Sequence, residues 1–215
     1  MTRDGDMKKG IRTAVYDTAL QLEVFRFQGI AQPFPSHFHA YYVIGLIEKG
    51  RRSLSCRSTV YSLRPGNIVL FNPRDTHACV QSDKGAMDYR GLNIPRETML
   101  TLVEEITGKR ALPAFSPAVI ADKEAARCLR RLHEAVMGKA CTLHREKLLL
   151  LLISLLLPYC SCPFEAHTPE CRAEIEAACR FMEQHFAEYI CLNDICRCAV
   201  VSNLHCCGPL LSTRA

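Results

Sequence analysis

Apolar positions between residues 22 and 94 come in short β-branched or aromatic runs: 22–27, 41–47, 52–56, 59–63, 68–71, 77–81 and 87–94. Turn residues separate them. Arg64-Pro65-Gly66-Asn67 has Pro to preset the second turn position and Gly for positive φ at the third. Asn72-Pro73-Arg74-Asp75 and Asp83-Lys84-Gly85 punctuate the later runs, and Arg57-Ser58 is the tip of a tight hairpin. Seven strands at hairpin spacing predict an antiparallel sandwich or barrel.

After Pro95 the apolar period lengthens from 2 to 3.6. Met99, Leu102, Val103 and Ile106 share one helical face, and Gly108 stands as the C-cap. Residues 109–121, with Pro113 and Pro117, read as a linker. Asp122 caps a helix to about residue 138, and Thr142 caps a second to residue 157. The short loop between them predicts an antiparallel pair. The ten residues 148–157 are too few to span a bilayer, which takes about 20, so they form a buried or interface helix. A second linker, 158–168, precedes Thr168-Pro169-Glu170, a complete helix start, and the apolar stripe Ile175, Ala178, Cys179, Met182 and Phe186.

Composition adds limits. Hydrophobic residues make up 48% and charged residues 23% of the 215, which excludes a disordered or low-complexity chain. The polar start MTRDGDMKKG carries no apolar signal segment, so the expected location is the cytoplasm and the thirteen cysteines are expected as thiols. Cys160/Cys162, Cys196/Cys198 and Cys206/Cys207 lack the spacing of structural zinc pairs. Residues 1–110 carry 16 Lys/Arg against 11 Asp/Glu, whereas residues 168–215 carry 4 against 6. An acidic tail is a poor DNA-binding surface.

The chemistry sits in Ser36-His37-Phe38-His39, whose two imidazoles share one face of an extended segment, and in His77, eleven residues after Gly66. His-x-His, Gly50, the Arg-Pro-Gly turn and this third histidine resemble the two motifs of a cupin barrel. More narrowly, HFHAYYVIGLIEKGRRSL, YSLRPGNIVLFNPRDTHAC and DYRGLNI resemble the ligand-binding domain of AraC-type transcription regulators over residues 20–95. The resemblance implies an α+β chain with an N-terminal cupin-like jelly-roll barrel over 1–110, dimerisation helices over 111–160 and a partial helix-turn-helix region over 168–215. It implies a small-molecule effector bound near His37, His39, His77, Tyr41 and Asn72, no cofactor, and a homodimer formed through Leu148, Leu151, Leu152 and Leu155.

Residues 191–202 resemble the first helix-turn-helix of the same family, which makes Ser202, Asn203 and His205 the expected DNA contacts. Val200 stands at the turn where the family usually has Gly, Gly208-Pro209 interrupts the recognition helix, and a second helix-turn-helix does not follow. The expectation is a regulator whose binding to operator DNA is weak or lost in this truncated chain. Its role as a dominant-negative partner is a further reading.

Three alternatives stay open for the histidines: effector-lining groups, plain barrel-mouth residues, or metal ligands of a metal-dependent cupin enzyme. Enzymatic cupins place a Glu where Val43 and Ile44 stand here, and three His alone can still hold a zinc ion. Arg51, Arg52, Arg57 and Arg64 form a solvated strand face or hold an anionic effector. No nucleotide-binding loop or catalytic carboxylate pair is present, so the chain is expected not to be an enzyme.

Overall fold

The computed structural model describes residues 10–82 and 85–161, then 177, 180–182, 184–185, 188–191, 194 and 197–198. The elements are β1 (Ile11–Asp17), β2 (Leu22–Ile30), β3 (Phe34–His37), β4 (Tyr42–Lys49), β5 (Arg52–Cys56), β6 (Thr59–Leu63), β7 (Ile68–Phe71), β8 (His77–Gln81) and β9 (Met87–Ile94). Then follow α1 (Arg96–Thr107), β10 (Val119–Ile120), α2 (Lys123–Met137) and α3 (Thr142–Leu156), with a 3-10 turn at Leu157–Tyr159. One sheet runs β1-β2-β9-β4-β7-β10 and the other β3-β8-β5-β6, with antiparallel pairs throughout.

The alternation of β4 shows how the layers form. Tyr42, Ile44 and Leu46 face the helices and join Ile68, Leu70 and Leu92 in one core, while Val43 and Ile47 face the barrel interior with Leu54, Leu63, Val69 and Phe71. Both faces of the strand are covered, which is why its sequence is a continuous apolar run rather than an alternating one. Gly45 lies opposite Gly91 in the β4–β9 ladder. A Cβ on Gly45 would lie 2.1 Å from the Tyr89 hydroxyl, and one on Gly91 2.7 Å from Cζ of Phe25, so the glycine pair makes the space that these two rings occupy.

The β5–β6 hairpin turns through Arg57 (φ 49) and Ser58 (φ 62), a two-residue left-handed turn usually built from Asn and Gly. The Arg57 guanidinium holds it, donating to the carbonyls of Phe115 (2.7 Å) and Ser116 (3.0 Å) and pairing with Asp75 (3.3 Å).

All seven expected strands form, and three more join them. β1 is exposed along nearly its whole length, so no buried face announced it. Residues 109–121 are not a free linker: Val119–Ile120 pairs with β7, Ala118 accepts from the Leu70 N–H (2.9 Å), and Tyr42 donates its hydroxyl to the Pro113 carbonyl (2.8 Å). Asp122 caps α2 through the N–H groups of Glu124 and Ala125, whereas the cap position of α3 is Cys141 rather than Thr142 and makes no side-chain cap bond.

The two helices pack on each other and are tied to the barrel at both ends. The His133 imidazole on α2 reaches the Phe25 carbonyl (3.1 Å), and Arg145 on α3 pairs with the buried Asp17 at the end of β1. Helix α3 turns Leu148, Leu149, Leu152, Ile153 and Leu156 into the core of the chain itself. This splits the face drawn from sequence, because Leu148 and Leu152 are buried, Leu155 is half-buried and Leu151 is exposed.

Contacts divide the chain into two compact units, Met1–Ala166 and His167–Ala215. The start of the helix expected at Pro169 and the expected DNA contacts Ser202, Asn203 and His205 lie outside the described residues, while residues 177, 180–182 and 184 of that helix are helical.

Candidate functional site

Barrel-facing residues of both sheets enclose a cavity of about 360 Å³. One wall is aromatic. Phe25 stands 5.1 Å from both Phe27 and Tyr89, centroid to centroid, and Phe27 stacks on Phe34 at 6.3 Å. Val43, Leu54, Leu63, Val69 and Phe71 line it as well, so most of the lining is hydrocarbon.

The polar groups are few. His37, His39 and His77 converge as the sequence predicts, with a candidate ligand atom from each within 4.8 Å of the others and ring centroids 4.4 to 5.2 Å apart. Extended backbone puts His37 and His39 on one side, and the β3–β8 ladder sets His37 directly opposite His77. Nδ1 of His37 lies 2.6 Å from the Pro35 carbonyl and Nδ1 of His77 lies 2.9 Å from that of Asp75. A carbonyl only accepts, so both Nδ1 atoms carry the hydrogen, and in the neutral imidazole the lone pair is on Nε2.

Burial, seconded by the neighbouring imidazoles and opposed by the Asp75 carbonyl, pulls the His77 pKa down to about 4. His39 is lowered by burial and then by His37. Both are therefore neutral near pH 7, the form that ligates metal or accepts a hydrogen bond. His77 also stacks on Phe71 (3.9 Å) and His39 on Tyr41 (4.9 Å). Tyr41 is kept a phenol by burial and by Glu23, and burial pushes the Cys79 thiol up to about 11, which leaves it an unreactive wall residue.

Asn72 does not line the cavity. Its side chain is engaged with Asp75 and Phe115, on the turn that precedes β8. Nor do the four arginines singled out in the sequence. Arg52 is buried with a short contact to the Ile30 carbonyl, Arg57 holds the hairpin, and Arg51 and Arg64 are exposed outside the lining. The cation at the cavity is Arg12 on β1, and the carboxylate is Glu23, which accepts from the Asn93 amide (2.6 Å). The period-2 placement of Phe25 and Phe27 on β2 offered a signal for the aromatic wall, whereas nothing local marked Arg12.

The AraC-like ligand binding domain, as a family, matches residues 20–153 of this chain. The chain belongs to that family. It is 42% identical over 200 residues to the uncharacterized HTH-type transcriptional regulator YbfI of Bacillus subtilis (strain 168), covering 93% of this chain and 73% of the relative. Among solved structures, a variant of apo ToxT from Vibrio cholerae superposes with a TM-score of 0.56 at 13% identity, over 90% of this chain and 74% of that one, which shows the fold alone. An RmlC-like cupin with a double-stranded β-helix fold from Methanocaldococcus jannaschii matches 44% of this chain and 87% of its own, at 17% identity and a TM-score of 0.36. The α+β architecture with an N-terminal cupin-like barrel stands as the sequence resemblance implied. Among the described residues, no helix is long and apolar enough to cross a membrane.

Proposed function

We propose that this AraC-type chain is a ligand-responsive transcriptional regulator in which the barrel cavity senses a small effector. The observation that carries the reading is the cavity itself, a space of about 360 Å³ with hydrocarbon walls and a few convergent polar groups, in a chain of this family. The relative of Bacillus subtilis supports the regulatory role by its name. A sensor is favoured over a catalyst, because the matching family is a ligand-binding domain and the relative of Bacillus subtilis is named a transcriptional regulator.

DNA contact falls to residues 168–215, with Ser202, Asn203 and His205 the proposed contacts. Their segment contains Gly208-Pro209 and has two more acidic than basic residues, so this chain is expected to bind operator DNA weakly. A bound effector regulates only through different affinities for two states of the protein. The test is fluorescence anisotropy of the purified chain with its own promoter region, with and without ligands that raise its melting temperature. A ligand that stabilises the barrel and shifts DNA affinity supports the reading. Stabilising ligands that never change DNA affinity, in this chain or in a longer form, count against it.

A second reading is favoured by one observation: the Nδ1 hydrogens of His37 and His77 are tied to backbone carbonyls, the arrangement that orients imidazoles toward a metal. A divalent transition metal fits three imidazole nitrogens with an open position, provided the cluster contracts to the roughly 3.4 Å nitrogen separation of a tetrahedral site. His37, His39 and His77 would hold it. Cobalt titration of the full chain, read by visible absorbance and lost in His77→Ala, tests this reading independently of any activity.

A further inference from the structure

One end of the cavity carries a cation that the described residues do not neutralise. Arg12 stands on the edge strand β1, opposite Phe27 in the ladder. Its guanidinium carbon lies 5.2 Å from the centroid of the Phe27 ring and 5.7 Å from that of Phe34. Among the described residues it has no ion pair and no side-chain hydrogen bond; those two rings are its contacts. Glu23, the carboxylate of the lining, pairs with Tyr16 in the same ladder. It is thus four residues, about 13 Å, along the strand from the Arg12 position. One of its two oxygens, Oε1, also accepts from the Asn93 amide (2.6 Å).

The surroundings narrow the chemistry. A polyol would need many polar partners, and the walls next to Arg12 are the carbon faces of Phe27 and Phe34. A cationic ligand would meet Arg12 itself.

We propose that the effector is an apolar organic acid, whose hydrocarbon body fills the aromatic cavity and whose carboxylate is held by Arg12 at the rim. This deepens the effector-sensing reading and rests on it. Guanidinium and carboxylate match as planar, bidentate partners. The two rings beneath Arg12 align it before the ligand arrives, which lowers the entropy lost on binding. The body next to the carboxylate must be hydrocarbon, because the first surfaces it meets inside the rim are rings.

The experiment is calorimetry on the full chain with two matched pairs, octanoate against octanamide and para-butylbenzoate against para-butylbenzamide. In at least one pair the acid is expected to bind about tenfold or more tighter than its amide, the range of one charge-assisted contact. Which pair it is distinguishes an alkyl from an aryl body. Arg12→Gln, at an exposed position that does not support the core, is expected to bring the acid down to the amide and leave the amide unchanged. Equal binding of acid and amide, or an acid affinity that survives Arg12→Gln, overturns the proposal while leaving the cavity a ligand site. Absence of binding by all four compounds also overturns it, and a broad library that likewise finds no cavity ligand removes the effector reading too.

Discussion

Asn72 and Phe115 exchange two hydrogen bonds, the Asn72 amide donating to the Phe115 carbonyl (3.1 Å) and the Phe115 N–H donating to the Asn72 side-chain oxygen (2.9 Å). A side chain here completes the backbone bonding of a segment whose strand-like pairing is a single bridge, Phe115 to Cys160. Asp75 braces it, accepting from the Asn72 backbone N–H (2.8 Å) and amide (3.1 Å). Asn72→Ala leaves the Phe115 N–H unpaired beside the core and its carbonyl with the Arg57 bond alone, and a loss of about 1–3 kcal/mol is expected in urea denaturation. Asn72→Asp keeps the acceptor but sets a second carboxylate against Asp75, so it too is expected to destabilise, and more at neutral than at acid pH. Wild-type stability in both variants would show that the paired bonds do not hold the segment.

Gly45 gives a sharper steric test. Its added Cβ would overlap the Tyr89 ring, with Cε2 at 2.3 Å and Cζ at 2.4 Å, and the ring sits in a packed wall beside Phe25 and Phe27. Gly45→Ala is expected to lose about 1–3 kcal/mol, the usual range for overpacking. Adding Tyr89→Ala removes the clash, so the double variant should be more stable than the sum of the two single losses predicts. Strict additivity in the double-mutant cycle would contradict the contact.

What the sequence reveals here depends on whether the deciding contacts are local. The runs that became β4, β7 and β9 were legible because each is a short apolar run, complete in itself and bounded by its own turn. His37 and His39 were legible for the same reason, and His77 through the spacing of a resemblance. Residues 109–121 read as a linker because what orders them comes from Asn72, Arg57 and Tyr42, which are 43 to 71 residues away along the chain. Arg12 was invisible because an exposed arginine on a polar strand has no local mark; only the β1–β2 register puts it over Phe27. The leucines of α3 were ambiguous because an all-round apolar helix shows no preferred face until its partners are known.

His133 gives a prediction in pH. It is 2% exposed at the junction of α2 and β2, where Arg26, Arg90 and Glu134 are the charged groups that act on it. Burial first, then Arg90, lowers its pKa below the ordinary 6.5. Above about pH 6.5 neither the folded nor the unfolded state takes up a proton at this site, so its full contribution to stability is present. As pH falls below that value, the unfolded chain binds a proton that the folded state refuses, and stability declines until the folded pKa is reached. Urea denaturation at pH 7.5 and 5 is expected to show this decline, and His133→Gln, which retains a donor for the Phe25 carbonyl, should flatten it by the share of this one residue. A slope unchanged by the substitution would assign the acid sensitivity to His39 and His77 instead.

Leu151 and Leu152 are neighbours on α3 with opposite surroundings, Leu151 at 45% exposure and Leu152 at 0%. We propose that the dimer contact lies on the outward side of this helix, where Leu143 (75%) and Leu151 remain uncovered and Met137 at the end of α2 (39%) adds to the apolar surface. The inward leucines belong to the subunit's own core. Two substitutions therefore separate association from folding. Leu151→Glu is expected to convert a dimer to a monomer in analytical ultracentrifugation while changing the subunit's stability little, since the residue is already in water when the partner is absent. Leu152→Ala is expected to lose about 2–5 kcal/mol through the cavity it leaves, whatever the oligomeric state. A wild-type chain that stays monomeric at high concentration, or a Leu151→Glu dimer that persists, would place the association elsewhere and leave the exposed face of α3 without a role in it.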